Sequence, residues 1–198
     1  MSTRILLVLV LAVTFAAAGC GGGSTHNASV SHRKPSASRT YGVVAPILYL
    51  KKIGHPLACN SVLQSLPPAS CGGVPVAGYD FKHVPGVVHF HGMGWQTPPL
   101  RLIGTWDGHR LTVTETPVRV TSPQGTPGAP RKCTIHGTAG EALVERISHD
   151  ASAIGLLSAS PCRDSAWVLV PVADKATISS LQQAYGDALL VSGWLRPH

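Results

Sequence analysis

Four cysteines in the body of the chain, Cys59, Cys71, Cys133 and Cys162, limit its fold more than any other feature, because their pairing decides which distant segments must meet. Their redox state follows from what precedes them. Arg4 leads into an uncharged run from Ile5 to Ala18, rich in Leu, Val and Ala and closing on small residues. A short positive region, an apolar stretch and a small-residue end make the pattern of a secretory signal peptide. A membrane span needs about 20 apolar residues, and this run of 14 falls short of that length. Export is therefore expected, and an even number of cysteines in an exported chain reads as disulfides. Three pairings are possible. Sequential pairing, Cys59–Cys71 and Cys133–Cys162, closes the shorter loops and is favoured; the first loop would stabilise the fold by about 3 kcal/mol in the chain-entropy view. A zinc site built from all four is the alternative, but the chain has no Cys-x-x-Cys pair.

The body also has many turn formers. The chain contains 16 prolines and 21 glycines, which favours short elements and frequent reversals. Val43 to Leu50 is apolar and β-branched enough for a first strand. Asn60 is placed to cap a short helix running to Leu66, before Pro67-Pro68. Val87 to His91 reads as a strand. Leu100 to Thr105 and Arg110 to Thr116 form a hairpin around Trp106-Asp107-Gly108-His109, since Asp-Gly suits a tight reversal between β-rich arms. Thr121 to Arg131 is a Pro/Gly loop. Thr138-Ala139-Gly140-Glu141 has the spacing of a capping box and predicts a helix over about 139–148, with Leu143, Val144 and Ile147 inward. Ala166 to Val172 reads as a strand. Asp174 then caps a helix to Tyr185, with Ile178, Leu181 and Tyr185 on one face and Gly186 just past its end. Ala188 to Leu195 reads as a further strand. Hairpins joined to a strand–helix–strand unit make an α+β fold with a mostly antiparallel sheet.

The end of the leader, Ala17-Ala18-Gly19-Cys20, resembles the lipobox of bacterial lipoproteins. In that family the cysteine is diacylated and becomes the mature N-terminus. The resemblance implies a signal peptide over 1–19, lipidation at Cys20, and a partner in the lipid bilayer at the extracytoplasmic face of the cell membrane. Two acyl chains are enough for stable anchoring. Residues 20–40 then form a Gly/Ser/Thr/Ala-rich tether with almost nothing to bury, and 41–198 a single domain. A second resemblance rests on Cys59, Leu66-Pro67-Pro68, Cys71-Gly72-Gly73-Val74-Pro75-Val76-Ala77-Gly78-Tyr79-Asp80-Phe81, Gly104-Thr105-Trp106-Asp107-Gly108 and Leu111-Thr112-Val113-Thr114-Glu115. This region is similar to uncharacterised secreted lipoproteins of high-GC Gram-positive bacteria. It implies a shared fold and export, and it carries over no catalytic residue.

Charge narrows the partners. The chain has 16 Lys and Arg against 9 Asp and Glu. Arg4 belongs to the leader and Arg33, Lys34 and Arg39 to the tether, so the body keeps 12 bases against 9 acids. No basic stripe is interleaved with aromatics, which argues against nucleic acid as a partner.

Few side chains carry recognisable chemistry. On a strand, His89 and His91 would project to one face, with Val88 and Phe90 on the other. A third ligand from His83, His109 or Met93 would complete a metal site, zinc or Cu(II) with imidazoles and Cu(I) with the thioether. The fragment His89-Phe90-His91-Gly92 also resembles the copper motif of multicopper oxidases. That family uses several such pairs and this chain has one, so an oxidase is excluded. The plain alternative is a half-exposed strand with a polar face. No Gly-x-Ser-x-Gly elbow, P-loop or Gly-x-Gly-x-x-Gly run supports nucleophilic or nucleotide chemistry. Ser148-His149-Asp150 are chain neighbours, which is not how a triad is assembled. Asp80 with Glu115 or Asp107 is a conceivable carboxylate pair, although Asp107 suits the turn. Trp95, Trp106, Trp167 and Trp194 are either core residues or a carbohydrate platform, and Trp106 at the hairpin is the one left undecided. With no catalytic motif, the expectation is an envelope binding or structural module without a cofactor. A Cu/Zn-binding protein and a cell-envelope hydrolase are the alternatives.

Overall fold

Proline divides the first expected strand. The computed structural model describes residues 39–63, 70–121, 133 and 137–198; the leader, Cys20, most of the tether and most of the Thr121–Arg131 loop lie outside them. Strand β1, Thr40–Ala45, alternates half-buried and buried residues and pairs with β7, Leu100–Trp106. After Pro46 the chain continues as β2, Ile47–Leu50, which pairs instead with β3, Pro56–Leu63, and β6, Gly94–Gln96. Pro46 has no N–H for the ladder, and its carbonyl accepts from the Cys59 amide at 2.9 Å. The two segments thus serve different neighbours within one sheet.

Where it is described, at residues 60–63, the segment expected as a helix from Asn60 to Leu66 is a strand; residues 64–66 lie outside the described residues. The β3 segment is held on one side by β2 and on the other by β4, Ser70–Ala77, with a bulge between Cys59 and Ser61. Asn60 does not cap; its side-chain amide donates to the Leu157 carbonyl at 3.3 Å, across to the second half of the chain. Cys59–Cys71 closes this hairpin, and Cys133–Cys162 closes the other pair. Both disulfides follow the sequential pairing.

A short 3₁₀ turn, Phe81–His83, leads to β5, Val88–Phe90, which pairs with β6. Strand β8, Leu111–Val113, returns along one edge of β7, and β9, Val118–Arg119, continues along that same edge at Leu100 and Arg101, the opposite edge being taken by β1. With β13, Arg196–Pro197, the large sheet has the order β13-β1-β7-β8-β4-β3-β2-β6-β5, with β9 on β7. Among the described residues, β4 and β8 are the one pair that runs parallel within it.

The second half adds α1, Thr138–His149; α2, Ala151–Ile154; β10, Ser158–Pro161; β11, Ala166–Val170; α3, Lys175–Tyr185; and β12, Leu189–Gly193. A three-stranded sheet has the order β10-β11-β12, with β11 and β12 parallel across α3. All five residues of β11 are buried. Trp167 and Leu169 join the core of the large sheet, while Ala166, Val168 and Val170 join Ile147, Ile154, Leu181, Tyr185 and Leu189 beneath the helices. The period-2 geometry of a strand makes this double burial possible. The result is α+β, a large mostly antiparallel sheet, a small sheet and a helical layer in sequence.

The helix starts are set by different means. Asp174 caps α3 as expected, accepting from the Thr177 amide at 2.8 Å. The capping box at Thr138 does not form: Gly137 is the cap residue and no side chain bonds there. A Cβ on Gly137 would strike the Arg163 carbonyl, and one on Gly140 the Cys162 carbonyl. Close backbone approach to the β10–β11 connection therefore places this helix.

Candidate functional site

The hairpin tip is built by one carboxylate. Asp107 accepts from the amides of His109 at 2.9 Å and Arg110 at 2.7 Å. This side-chain turn, with Gly108 at φ 102°, reverses the chain between β7 and β8. Partial burial tends to raise the Asp107 pKa, but the two amides outweigh it and hold the carboxyl below its ordinary value. Trp106 ends β7 in the core, at 8% exposure.

Facing this tip is a cleft of about 310 Å³. Its floor includes Val74 and Pro75 of β4, and its first wall Trp106, Gly108 and His109. A second wall is α2, which ends at Gly155 in the left-handed conformation before Leu156 and Leu157. The third wall is the end of β11 with Pro171, Val172 and the first turn of α3. The cleft thus lies beyond the carboxyl end of a parallel strand and beside the start of the helix that follows. Open α/β sheets commonly place ligands there.

Its chemistry is mainly apolar. Among the described residues that line it, the polar side chains are His109, Ser152, Asp174 and Thr177, and Asp174 is the one acid. That acid is already engaged by the Thr177 amide. The volume is at the lower end of the roughly 300–1,000 Å³ typical of small-molecule sites.

The wall formed by α2 is fixed from behind. The Tyr185 hydroxyl donates to Asp150 at 2.7 Å, and Arg146 donates to the Tyr185 carbonyl at 2.7 Å while its guanidinium lies 5.5 Å from the ring centroid. The Tyr185 bond, helped by His149, holds the Asp150 pKa below the ordinary value. Burial, then the Asp150 carboxylate, pushes Tyr185 up to about 12. These contacts join the α1–α2 junction to the end of α3.

The histidines singled out from the sequence are dispersed. His83 meets Asp80 at 3.2 Å on an exposed turn. His89 lies on β5, but the strand stops at Phe90 and His91 takes a positive φ of 24° in the following turn. The pair therefore does not occupy alternate positions of one strand. His109 is at the cleft rim. Among the described residues, no three His, Cys, Asp or Glu side chains form a group able to hold a metal ion.

The remaining candidates resolve in the same way. Trp95, Trp167 and Trp194 are buried like Trp106, so the four make no exposed platform. Trp95 stacks on Tyr49 at 5.5 Å, and Trp167 donates to Ser192 at 2.9 Å. Asp80 accepts from the Lys82 amide as well as facing His83, and Asp107 is committed to the hairpin. Neither these two nor Glu115 lines the cleft. Ser148 and His149 are exposed at the end of α1, and Asp150 serves Tyr185.

Sequence reasoning reached Trp106, His109 and Asp174 singly, named Gly73 to Pro75 only within a resemblance and Pro171-Val172 only as the end of a strand, and missed α2. None of these was read as lining a site, because they are small or apolar; Gly155 was the one local signal of a helix stop. Among the described residues no helix is long and apolar enough to cross a membrane. Compared with known proteins, the chain matches no family model, no curated protein and no solved structure.

Proposed function

We propose that the chain is a lipid-anchored binding module of the bacterial envelope. Cys20 carries the anchor, residues 21–40 tether the domain at the extracytoplasmic face, and the cleft holds a small, uncharged, mainly apolar ligand. The cleft is the observation that carries the binding part: it is already formed, it lies at a junction of two sheets, and its one acid is satisfied within the protein. Among the described residues no Lys or Arg lines the cleft, and the one carboxylate, Asp174, commits an oxygen to the Thr177 amide at the start of α3. The two disulfides support an oxidising compartment, and the lipobox-like end of the leader supports the anchor.

The test is a titration of the full oxidised chain with N-phenyl-1-naphthylamine, an uncharged apolar fluorophore. Saturable one-to-one binding is expected. Ala153→Trp and Ala176→Trp, two exposed positions on opposite walls of the cleft, should each weaken it at least about tenfold, since blocking costs the burial of apolar surface. Unsaturable binding, or binding indifferent to both substitutions in folded protein, would sink the proposal.

A further inference from the structure

The charge of this chain is segregated. Between Arg39 and Trp106 there are five Lys or Arg and a single acid, Asp80; the other eight acids all come from Asp107 onward. The fold gathers part of that excess at one end of the large sheet. The β2–β3 turn carries Lys51, Lys52 and His55, and the β5–β6 turn carries His91 and Met93, with His89 just before it. The Lys51 amide donates to the Met93 carbonyl at 2.9 Å, so the two turns lie side by side. All six side chains are exposed, and Met93 and Val88 are among the few large apolar residues open to solvent, at 42% and 58%. Beneath them a small separate core of Leu48, Leu50 and Cys59, backed by Ile53, Phe90 and Cys71, gives the turns a firm base. Asp80, the acid of this half, is engaged by the Lys82 amide and the His83 ring.

The geometry points to a second membrane contact: the paired turns at 51–55 and 91–93 dock on a bilayer rich in anionic headgroups, with Lys51 and Lys52 on the phosphates and Met93 at the apolar boundary. This rests on the anchoring reading for its tether. Cations around an exposed apolar side chain match an anionic interface, where each lysine adds about fivefold to binding. Two lysines alone are weak, but a tether holds them at high effective concentration. Reach is not limiting. The tether enters at Thr40, and the run from there to Leu50 extends at most about 36 Å; the 20 residues from Cys20 can span about 65 Å.

The test couples the full oxidised chain through the Cys20 thiol to a maleimide-headgroup lipid, so that it stands even if natural acylation fails. Amide hydrogen exchange is then compared in phosphatidylcholine vesicles with and without phosphatidylglycerol. Residues 51–55 and 91–93 should exchange at least about fivefold more slowly on the anionic vesicles, and Lys51→Glu/Lys52→Glu should abolish the difference. Met93→Ser should reduce it. Equal exchange on both vesicles overturns the proposal, as does protection by soluble polyglutamate with none from the anionic bilayer.

Discussion

Strand β11 and the β5–β6 hairpin represent two extremes of burial within one fold. All five residues of β11 are buried, one face against the large sheet and the other beneath α1 and α3. The hairpin is at the sheet edge, where Val88 and His89 are exposed, Phe90 packs on the small cluster around Leu48 and Leu50, and Trp95 reaches the main core. The difference teaches where this protein keeps its stability. The centre depends on packing from both sides, whereas the edge is held by Trp95 and by Phe90 on the small disulfide-linked cluster, which leaves the side chains of its outer face and turn free for surface chemistry.

The comparison breaks most clearly at its centre. Leu169→Ala should cost about 2–5 kcal/mol, because Leu169 is fully buried and the cavity cannot collapse between two layers. Val88→Ala should stay within about 0.5 kcal/mol. Denaturant unfolding of both variants checks this, and similar losses would erase the distinction.

Disulfide removal comes next. The links span 12 and 29 residues, so replacing each pair by alanine should cost about 3 and about 3.5 kcal/mol respectively. Losing Cys59–Cys71 should also raise hydrogen exchange in β3 and β4 while leaving β11 protected. Exchange rising equally in both regions would mean that they unfold as one unit.

A smaller effect belongs to the helical layer. Asp174→Ala removes the α3 cap and should cost about 1 kcal/mol, read by thermal unfolding. The same layer has an alkaline limit. Tyr185 titrates near 10 when unfolded and at about 12 in the fold. Its contribution is therefore full below pH 10 and declines as pH rises from 10 towards 12. Asp150 works at the other end: its pKa is depressed, so its contribution is present above the ordinary carboxylate value and fades as pH falls through the lower folded one. In Tyr185→Phe the alkaline decline should flatten; an unchanged profile would remove Tyr185 from the account.

Least affected is the edge turn. His91→Gly relieves a positive φ and should be neutral or stabilising by less than about 1 kcal/mol. A clear loss of stability would mean that the imidazole makes a contact of its own.

The central unit was the more legible half of the sequence. Asp174, the Leu181 and Tyr185 spacing and the apolar run from Ala166 are local signals, and β11, α3 and β12 follow them. The outer sheet depended on distant partners. Nothing local tells Asn60 that β2 and β4 flank it, and a capping residue before a proline pair looks helical until those neighbours are present. Pro46 was a local signal, but its meaning depended on β7 and β3 drawing the chain to different neighbours. The two disulfides were legible because loop length is written in the sequence. The cleft was not, since its walls come from four separate stretches and are mostly backbone, alanine and apolar side chains.

The account rests on where the domain is held, and mass spectrometry of the N-terminal peptide from protein purified out of bacterial membranes tests that most directly. The prediction is a chain beginning at Cys20 with a diacylglycerol on its sulfur. An unmodified peptide continuous through Gly19-Cys20, or a mature chain starting elsewhere, would contradict it.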